Sequence, residues 1–337
     1  MSIVFLGTSE FAAAILDRLA RSQAHRPALV LSRPDRPSGR GRRLSPPPVA
    51  KRARALGIAV EQPESVNDPE ARELIARAGQ GPPGAASLRG GVQGAAAEGR
   101  AGAASGSAQT VIVCAFGALI KEPLLSEHEL INVHPSLLPR WRGAAPIERA
   151  LMAGDERTGV SIMRLGAGLD DGPVCLVGTE PIMADDTYGS LAARLQELGG
   201  ELLVRALEQA PPFREQDGDG VTYAEKIGPA DRLLDPARPA VELERVVRAL
   251  HPHIGARVAL ADGTLLGVQR AALVDDGAPG AGEAGAGEAG AGVAAREGRL
   301  LLNCTPGVLE LLVVQPAGGR AMDAASYLRG HGPPGRL

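Results

Sequence analysis

At 337 residues the chain is too long for one average domain and fits two, each able to bury a core. A formal charge of −3 gives no global reason for a polyanionic partner, so any nucleic-acid contact has to be local. Three separated cysteines, Cys114, Cys175 and Cys304, argue against a disulfide framework or zinc site and for a reducing, cytoplasmic setting; an N-terminal apolar run that lacks a basic leader and carries Glu10 and Asp17, with no apolar stretch of membrane-spanning length, argues against a signal peptide or membrane anchor.

In chain order, residues 3–6 predict a strand ending in Gly7-Thr8-Ser9, then a helix over 11–19 capped by Ser9 or Thr8. This opens a doubly wound α/β sheet, and because the loop has one glycine and not Gly-x-Gly-x-x-Gly, no dinucleotide is expected. A second strand at 28–31 runs into residues 32–43, which hold Arg33, Arg36, Arg40, Arg42 and Arg43 and are too rich in Pro and Gly to predict an element. They read as an exposed basic loop. Helices over 49–56 and near 69–77 flank a short strand at 58–60. Residues 78–108 are Gly, Ala, Ser and Pro with few apolar anchors, which predicts a mobile surface insertion.

The sheet resumes at 111–115, continues through Phe116-Gly117-Ala118-Leu119-Ile120 and reaches residues 131–146, which include the lone Trp. Leu130, Ile131 and Val133 suit the end of a buried strand, so Asn132 and His134, two apart, face one side as the strand meets its loop. Pro135 and Pro139 stiffen that loop, and Pro146 precedes a helix over 147–152. A rigid loop beyond the carboxyl end of a strand is where open α/β sheets place their sites. Strands at 160–163 and 174–177 flank the turn 166–173, and Thr187 opens a helix to about 207. Residues 209–220 are a Pro- and Gly-containing polar linker, where the domain boundary falls. After a helix over 240–250, short β-like runs at 256–260, 265–271, 300–302 and 308–314 predict a small barrel, interrupted at 277–293 by a Gly-Ala-Gly-Glu-Ala repeat read as a second insertion.

An Asn-x-His pair alone is more often a satisfied loop pair than a site. Here Asn132-Val133-His134, Ser136-Leu137-Leu138-Pro139 and Arg140-Trp141-Arg142-Gly143 together resemble the central motif of the folate-dependent formyltransferases. The likeness extends to the opening Phe5-Leu6-Gly7-Thr8, the loop from Arg33 to Arg43, residues 116–120, Gly168-Leu169-Asp170, Thr222-Tyr223-Ala224-Glu225-Lys226 and Gln315 to Met322. It implies an α/β, Rossmann-like formyltransferase domain over 1–206, a linker over 207–226 and a C-terminal, OB-like β-barrel over 227–337. Two departures stand out: Asp171 replaces a usual Thr, and His251-Pro252-His253 replaces an aromatic-Asn-Pro-Trp-Pro run. A second carboxylate beside Asp170 is expected to perturb one of the pair.

The resemblance implies transfer of a formyl group from 10-formyltetrahydrofolate to the α-amine of methionyl initiator tRNA. Asn132, His134 and Asp170 would be catalytic, and no metal is required. Ser136, Leu137, Leu138 and Pro139, with Phe116, Gly117, Leu119 and Ile120, would form the folate wall. Arg33, Arg36, Arg40, Arg42 and Arg43 would meet tRNA phosphates, although basic charge in this chain is almost all Arg and a solvated loop is the bland alternative. A cytoplasmic monomer is expected. Three competing readings remain: a formyltransferase for a small amine, which the Arg loop and second domain disfavour; a hydrolase releasing formate from the folate; and a non-catalytic RNA-binding protein, which leaves the Asn, His and Asp unexplained.

Overall fold

The computed structural model describes residues 2–38, 43–78, 109–274 and 292–333. Arg40 and Arg42, and all but Ala78, Gly292 and Val293 of the two expected insertions, lie outside the described residues. The first elements are β1 (Ile3–Gly7), α1 (Glu10–Arg21), β2 (Leu29–Leu31), β3 (Arg36–Ser38), β4 (Arg43–Ser45), α2 (Pro48–Ala55), β5 (Ala59–Glu61) and α3 (Pro69–Ala78). Next come β6 (Thr110–Cys114), α4 (Leu124–Glu127), β7 (Glu129–His134), β8 (Arg142–Gly143), α5 (Pro146–Ala153), β9 (Arg157–Arg164), β10 (Val174–Pro181) and α6 (Tyr188–Gln209). The chain continues through β11 (Tyr223–Ala224), α7 (Ala240–Leu250), β12 (Ala256–Ala259), β13 (Leu265–Leu273) and β14 (Gly292–Arg296). It closes with β15 (Arg299–Asn303), β16 (Val308–Gln315), β17 (Met322–Asp323) and α8 (Ala324–His331).

A seven-stranded sheet runs β10-β9-β7-β6-β1-β2-β5. Strands β5, β2, β1, β6 and β7 pair in parallel, while β9 joins β7 antiparallel. β1 is buried at every position, as its unbroken Ile-Val-Phe-Leu run requires of a strand covered on both faces. Ser9, not Thr8, caps α1, its Oγ accepting from the Ala12 amide at 3.2 Å. Thr8 instead donates to the Phe116 carbonyl at 2.8 Å, tying the end of β1 to the end of β6. Between these two strands the winding reverses, the position beyond whose carboxyl ends open α/β sheets place their ligands.

The C-terminal sheet is antiparallel, β12-β13-β16-β15-β14 with β17 beside β16. Register shifts in β13 between Val268 and Ala271 bend it, and β12 comes back to β14, so the sheet curls on itself as the barrel expectation required. The buried face of α7, Leu243, Val246, Val247 and Leu250, fills it together with Tyr327 of α8. The chain divides into two compact units, residues 1–134, 160–178 and 196–218 in one and 135–159, 179–195 and 219–337 in the other. Two segments expected with the first domain, 135–159 and 179–195, thus group with the C-terminal residues.

Two expectations need correction. The basic loop is not featureless: Arg36, Pro37 and Ser38 pair with Ser45, Leu44 and Arg43 as a short hairpin, with Pro37 tolerated because the ribbon has only two strands. The second insertion ends before 292, since Gly292 and Val293 pair with Asn303 and Leu302. The polar linker is held in place. Arg214 and Val174 exchange backbone hydrogen bonds at 2.8 and 2.9 Å, and the Arg164 guanidinium lies 4.3 Å over the Phe213 ring.

Candidate active site

β7 ends the parallel core of the sheet, and its alternation puts Asn132 and His134 on one face, 8% and 4% exposed. Both are held beside β9, in register with Met163 and Ser161. Asp170, in the loop that follows β9, points back at them. Its Oδ1 stands 3.5 Å from Asn132 Nδ2 and its Oδ2 stands 3.6 Å from His134 Nδ1. These distances are slightly longer than closed hydrogen bonds, as in a site that tightens around a substrate. The carboxylate therefore lies on the Nδ1 side of the His134 imidazole, close enough to orient the ring.

Asp170 occupies the left-handed region at φ +46°, a conformation Asp tolerates better than most residues but holds only where its surroundings impose it. Gly172 supplies one constraint: a Cβ there would run into the Arg164 carbonyl, so the loop presses flat on β9. A second comes from Gln216, whose Nε2 donates to the carbonyls of both Asp170 and Gly172 at 2.8 Å. Sequence reasoning missed Gln216, which sits in the expected linker between Glu215 and Asp217 with no local pattern to single it out. Asp171 is exposed, and its carboxylate folds over Gly168, where a Cβ would strike it.

Residues 116–120 are tethered chiefly through their backbone. The Phe116 carbonyl accepts from Thr8, Gly117 from Arg33 Nη1 at 2.6 Å, and Leu119 from Asn67 Nδ2 at 2.9 Å. The expected apolar wall is only partly available here. Phe116 and Ile120 pack into the core with Val66 and Leu124, because a sheet buried on both faces draws in the residues just past its strands. Gly117, Ala118 and Leu119, the last 67% exposed, are what this segment presents outward.

The loop after β7 is fastened independently. Buried Ser136 donates its hydroxyl to the Arg140 carbonyl at 2.7 Å, and the Arg140 amide returns to the Leu137 carbonyl at 3.0 Å, leaving Leu137, Leu138 and Pro139 half-buried. The Arg140 guanidinium forks onto Asp155 at 2.8 and 2.6 Å and lies 4.4 Å over the Trp141 ring, while Trp141 Nε1 donates to the same carboxylate at 2.8 Å. That carboxylate holds the Arg140 pKa above its ordinary value against the opposing effect of burial. β8 then pairs in parallel with β11, and Gly143, at φ +123°, lies so close to the Ala224 carbonyl that a Cβ would sit 2.7 Å from it. The Thr222-Tyr223-Ala224 motif therefore lashes down the loop that carries Trp141.

Of the five arginines expected at tRNA, Arg36 and Arg43 stand exposed on the hairpin. Arg33 is half-buried, turned in toward the Gly117 carbonyl, with its Nε buried and without a partner. It braces a neighbouring segment where the sequence suggested a phosphate contact. At the other departure, the His253 ring stacks on Tyr188 with centroids 3.6 Å apart, and its Nε2 lies 2.9 Å from a Glu148 carboxylate oxygen. Burial, then the Glu148 charge, pushes the Tyr188 hydroxyl up to about 12. Among the described residues no group of three or more His, Cys, Asp or Glu could hold a metal ion, and no helix is long and apolar enough to cross a membrane.

Comparison with known proteins covers nearly the whole chain. The formyl transferase family model matches residues 1–207, and the formyl transferase C-terminal domain model matches residues 226–332. Methionyl-tRNA formyltransferase of Dechloromonas aromatica is 41% identical over 334 residues, 98% of this chain and 96% of that protein. The enzyme of the same name from Halorhodospira halophila is 41% identical over 335 residues, 97% of this chain and 96% of that protein. Two solved structures share the fold at low identity. The methionyl-tRNA formyltransferase of Clostridium thermocellum gives a TM-score of 0.54 at 12% identity, covering 82% of this chain and 95% of that one. HypX of Aquifex aeolicus in complex with tetrahydrofolic acid gives 0.56 at 15% identity over 97% of this chain, which spans 47% of that longer protein.

Proposed function

Because this chain belongs to the formyl transferase family, we propose that it moves the formyl group of 10-formyltetrahydrofolate to the α-amine of methionyl initiator tRNA. The observation that carries the acceptor is the likeness along 98% of the chain, C-terminal domain included, to an enzyme named for that acceptor. Attack of the amine lone pair on the formyl carbon forms a C–N bond and moves the carbonyl electrons onto oxygen. Asn132 donates to that oxyanion through its amide, without a change of charge. His134 takes the proton of the attacking amine and Asp170 stabilises the resulting imidazolium. As the carbon–nitrogen bond to the folate breaks, the proton returns to the departing folate nitrogen, leaving an N-formyl amide and tetrahydrofolate. This sequence assigns no step to a metal.

For the folate, the proposal keeps Ser136, Leu137, Leu138 and Pro139, with the backbone of 117–120 and the exposed Leu119. Phe116 and Ile120 serve by shaping that backbone from below. For the tRNA it keeps Arg36, Arg40, Arg42 and Arg43, and assigns Arg33 to holding Gly117. The proposed domain division is the catalytic domain over 1–206 and a tRNA-binding barrel from 227, and the proposed setting is a cytoplasmic monomer. The test is acceptor choice. Purified protein and formyl donor are given methionyl initiator tRNA, free methionine or a small sugar amine, and the account expects turnover on the tRNA alone. Faster turnover on a small amine overturns the assigned acceptor.

A further inference from the structure

We infer that Gln216 is a positioning residue for formyl transfer, an amide clamp that holds the Asp170 carboxylate at Asn132 and His134. This deepens the proposed reaction and rests on that reading. A primary amide has two N–H donors on one nitrogen, and Gln216 Nε2 uses that capacity on two carbonyls of a single loop, Asp170 and Gly172, at 2.8 Å each. The two acceptors bracket the left-handed turn at Asp170, φ +46°. Asp holds that conformation only at a cost, and relaxation would swing the carboxylate away from contacts already at 3.5 and 3.6 Å.

The clamp is anchored from its own side. Two residues before Gln216, Arg214 pairs with Val174 at the start of β10, and one residue earlier Phe213 lies under the Arg164 guanidinium. The chain from 213 to 216 thus forms a strut across the two strands that bound the Asp170 loop. Substitution chemistry follows from the donors. Glu at 216 has the same length but aims a carboxylate at two carbonyls; Asn keeps the donors but is one methylene short; Ala removes them.

The test compares Gln216→Glu, Gln216→Ala and Gln216→Asn in the full chain. A displacement of about 1 Å at a catalytic group can cost on the order of a hundredfold, so kcat for methionyl-tRNA is expected to fall roughly 10- to 100-fold for Glu and Ala. KM for tRNA and folate should stay within about twofold, with Asn intermediate, because the clamp acts on the reacting geometry. On an Asp170→Ala background, Gln216→Ala should cost less than about a further twofold, as expected for residues acting as one unit. Amide hydrogen exchange of residues 168–173, measured without substrates, should accelerate in the Glu and Ala variants while the rest of the chain is unchanged. Parental kcat in Gln216→Glu, or an equal loss with and without Asp170, overturns the inference. If the parent itself fails to formylate methionyl-tRNA, the functional reading falls, and unchanged exchange over 168–173 would then overturn the clamp separately.

Discussion

Removal of the Asp155 carboxylate should release the loop that carries Arg140 and Trp141, and its cost can be worked from the contacts. Asp155 accepts two hydrogen bonds from the Arg140 guanidinium and one from Trp141 Nε1. Charged hydrogen bonds contribute about 1.5–3 kcal/mol each when well shielded and neutral ones about 1. Arg140 is 42% exposed along its side chain, whereas Asp155 is 15% exposed. Screening therefore discounts the ion pair to about 1–2 kcal/mol, and with the indole bond Asp155→Ala should cost about 2–3 kcal/mol. Asp155→Asn keeps acceptors for one guanidinium nitrogen and for the indole and should cost about half as much. Urea titration followed by Trp141 fluorescence reads the stability, since the chain has a single Trp. Formyl-transfer kinetics on the same samples should show KM for the folate raised several-fold in Asp155→Ala, because Leu137, Leu138 and Pro139 lie on the freed loop. An unfolding midpoint and folate KM both unchanged in Asp155→Ala would show that the loop is rigid without its clasp.

Asn132→Ala, His134→Ala and Asp170→Ala should each lower kcat on the order of a hundredfold or more while KM for tRNA stays near the parent, as loss of a transition-state donor does; Asp171→Thr should be mild, and steady-state kinetics in which Asp171 proves indispensable and Asp170 dispensable would reverse the assignment. Burial alone would raise the Asp186 pKa, but Arg194, Ser190 and the Met183 amide hold it down to about 2 from 3.8. A depressed folded-state pKa stabilises above the unfolded value and is lost as pH falls through the folded one, so about 2 kcal/mol should disappear between about pH 4 and 2; in Asp186→Asn, acid titration of stability should lose that step. Arg36→Ala with Arg43→Ala should raise KM for methionyl-tRNA and flatten its salt dependence by a slope of roughly 0.7–0.9 per lost contact, leaving folate affinity alone; identical salt slopes in parent and variant would return the hairpin to the role of a solvated ribbon.

What the sequence revealed and what it hid divide along contact range. β1, the start of α1 at Thr8 or Ser9 and the span of α7 follow from neighbours within a few residues, so periodicity and capping chemistry located them. The facing of Asn132 and His134 is likewise a consequence of strand period. Asp170 was reached only through resemblance, since nothing local links it to Asn132, 38 residues away. Gln216 was invisible because its partners are backbone carbonyls, which carry no sequence signature. The tie from Arg33 to the Gly117 carbonyl was hidden for the same reason: five arginines in one stretch read as a surface, and only the tertiary position of that carbonyl turns one of them inward. The hairpin of β3 and β4 escaped notice because Pro37, Gly39 and Gly41 are poor strand formers, and pairing there rests on main-chain bonds.

The central claim is tested most directly by following label. Purified protein, 10-formyltetrahydrofolate carrying an isotopic formyl carbon and methionyl initiator tRNA are combined in a single turnover, and the methionine recovered from the tRNA is analysed beside free formate. The account predicts label in an N-formyl amide on methionine at a rate matching tetrahydrofolate release, with little free formate, and loss of that transfer in Asn132→Ala. Label appearing as formate, at the same rate with or without charged tRNA, would contradict it and make the protein a folate hydrolase.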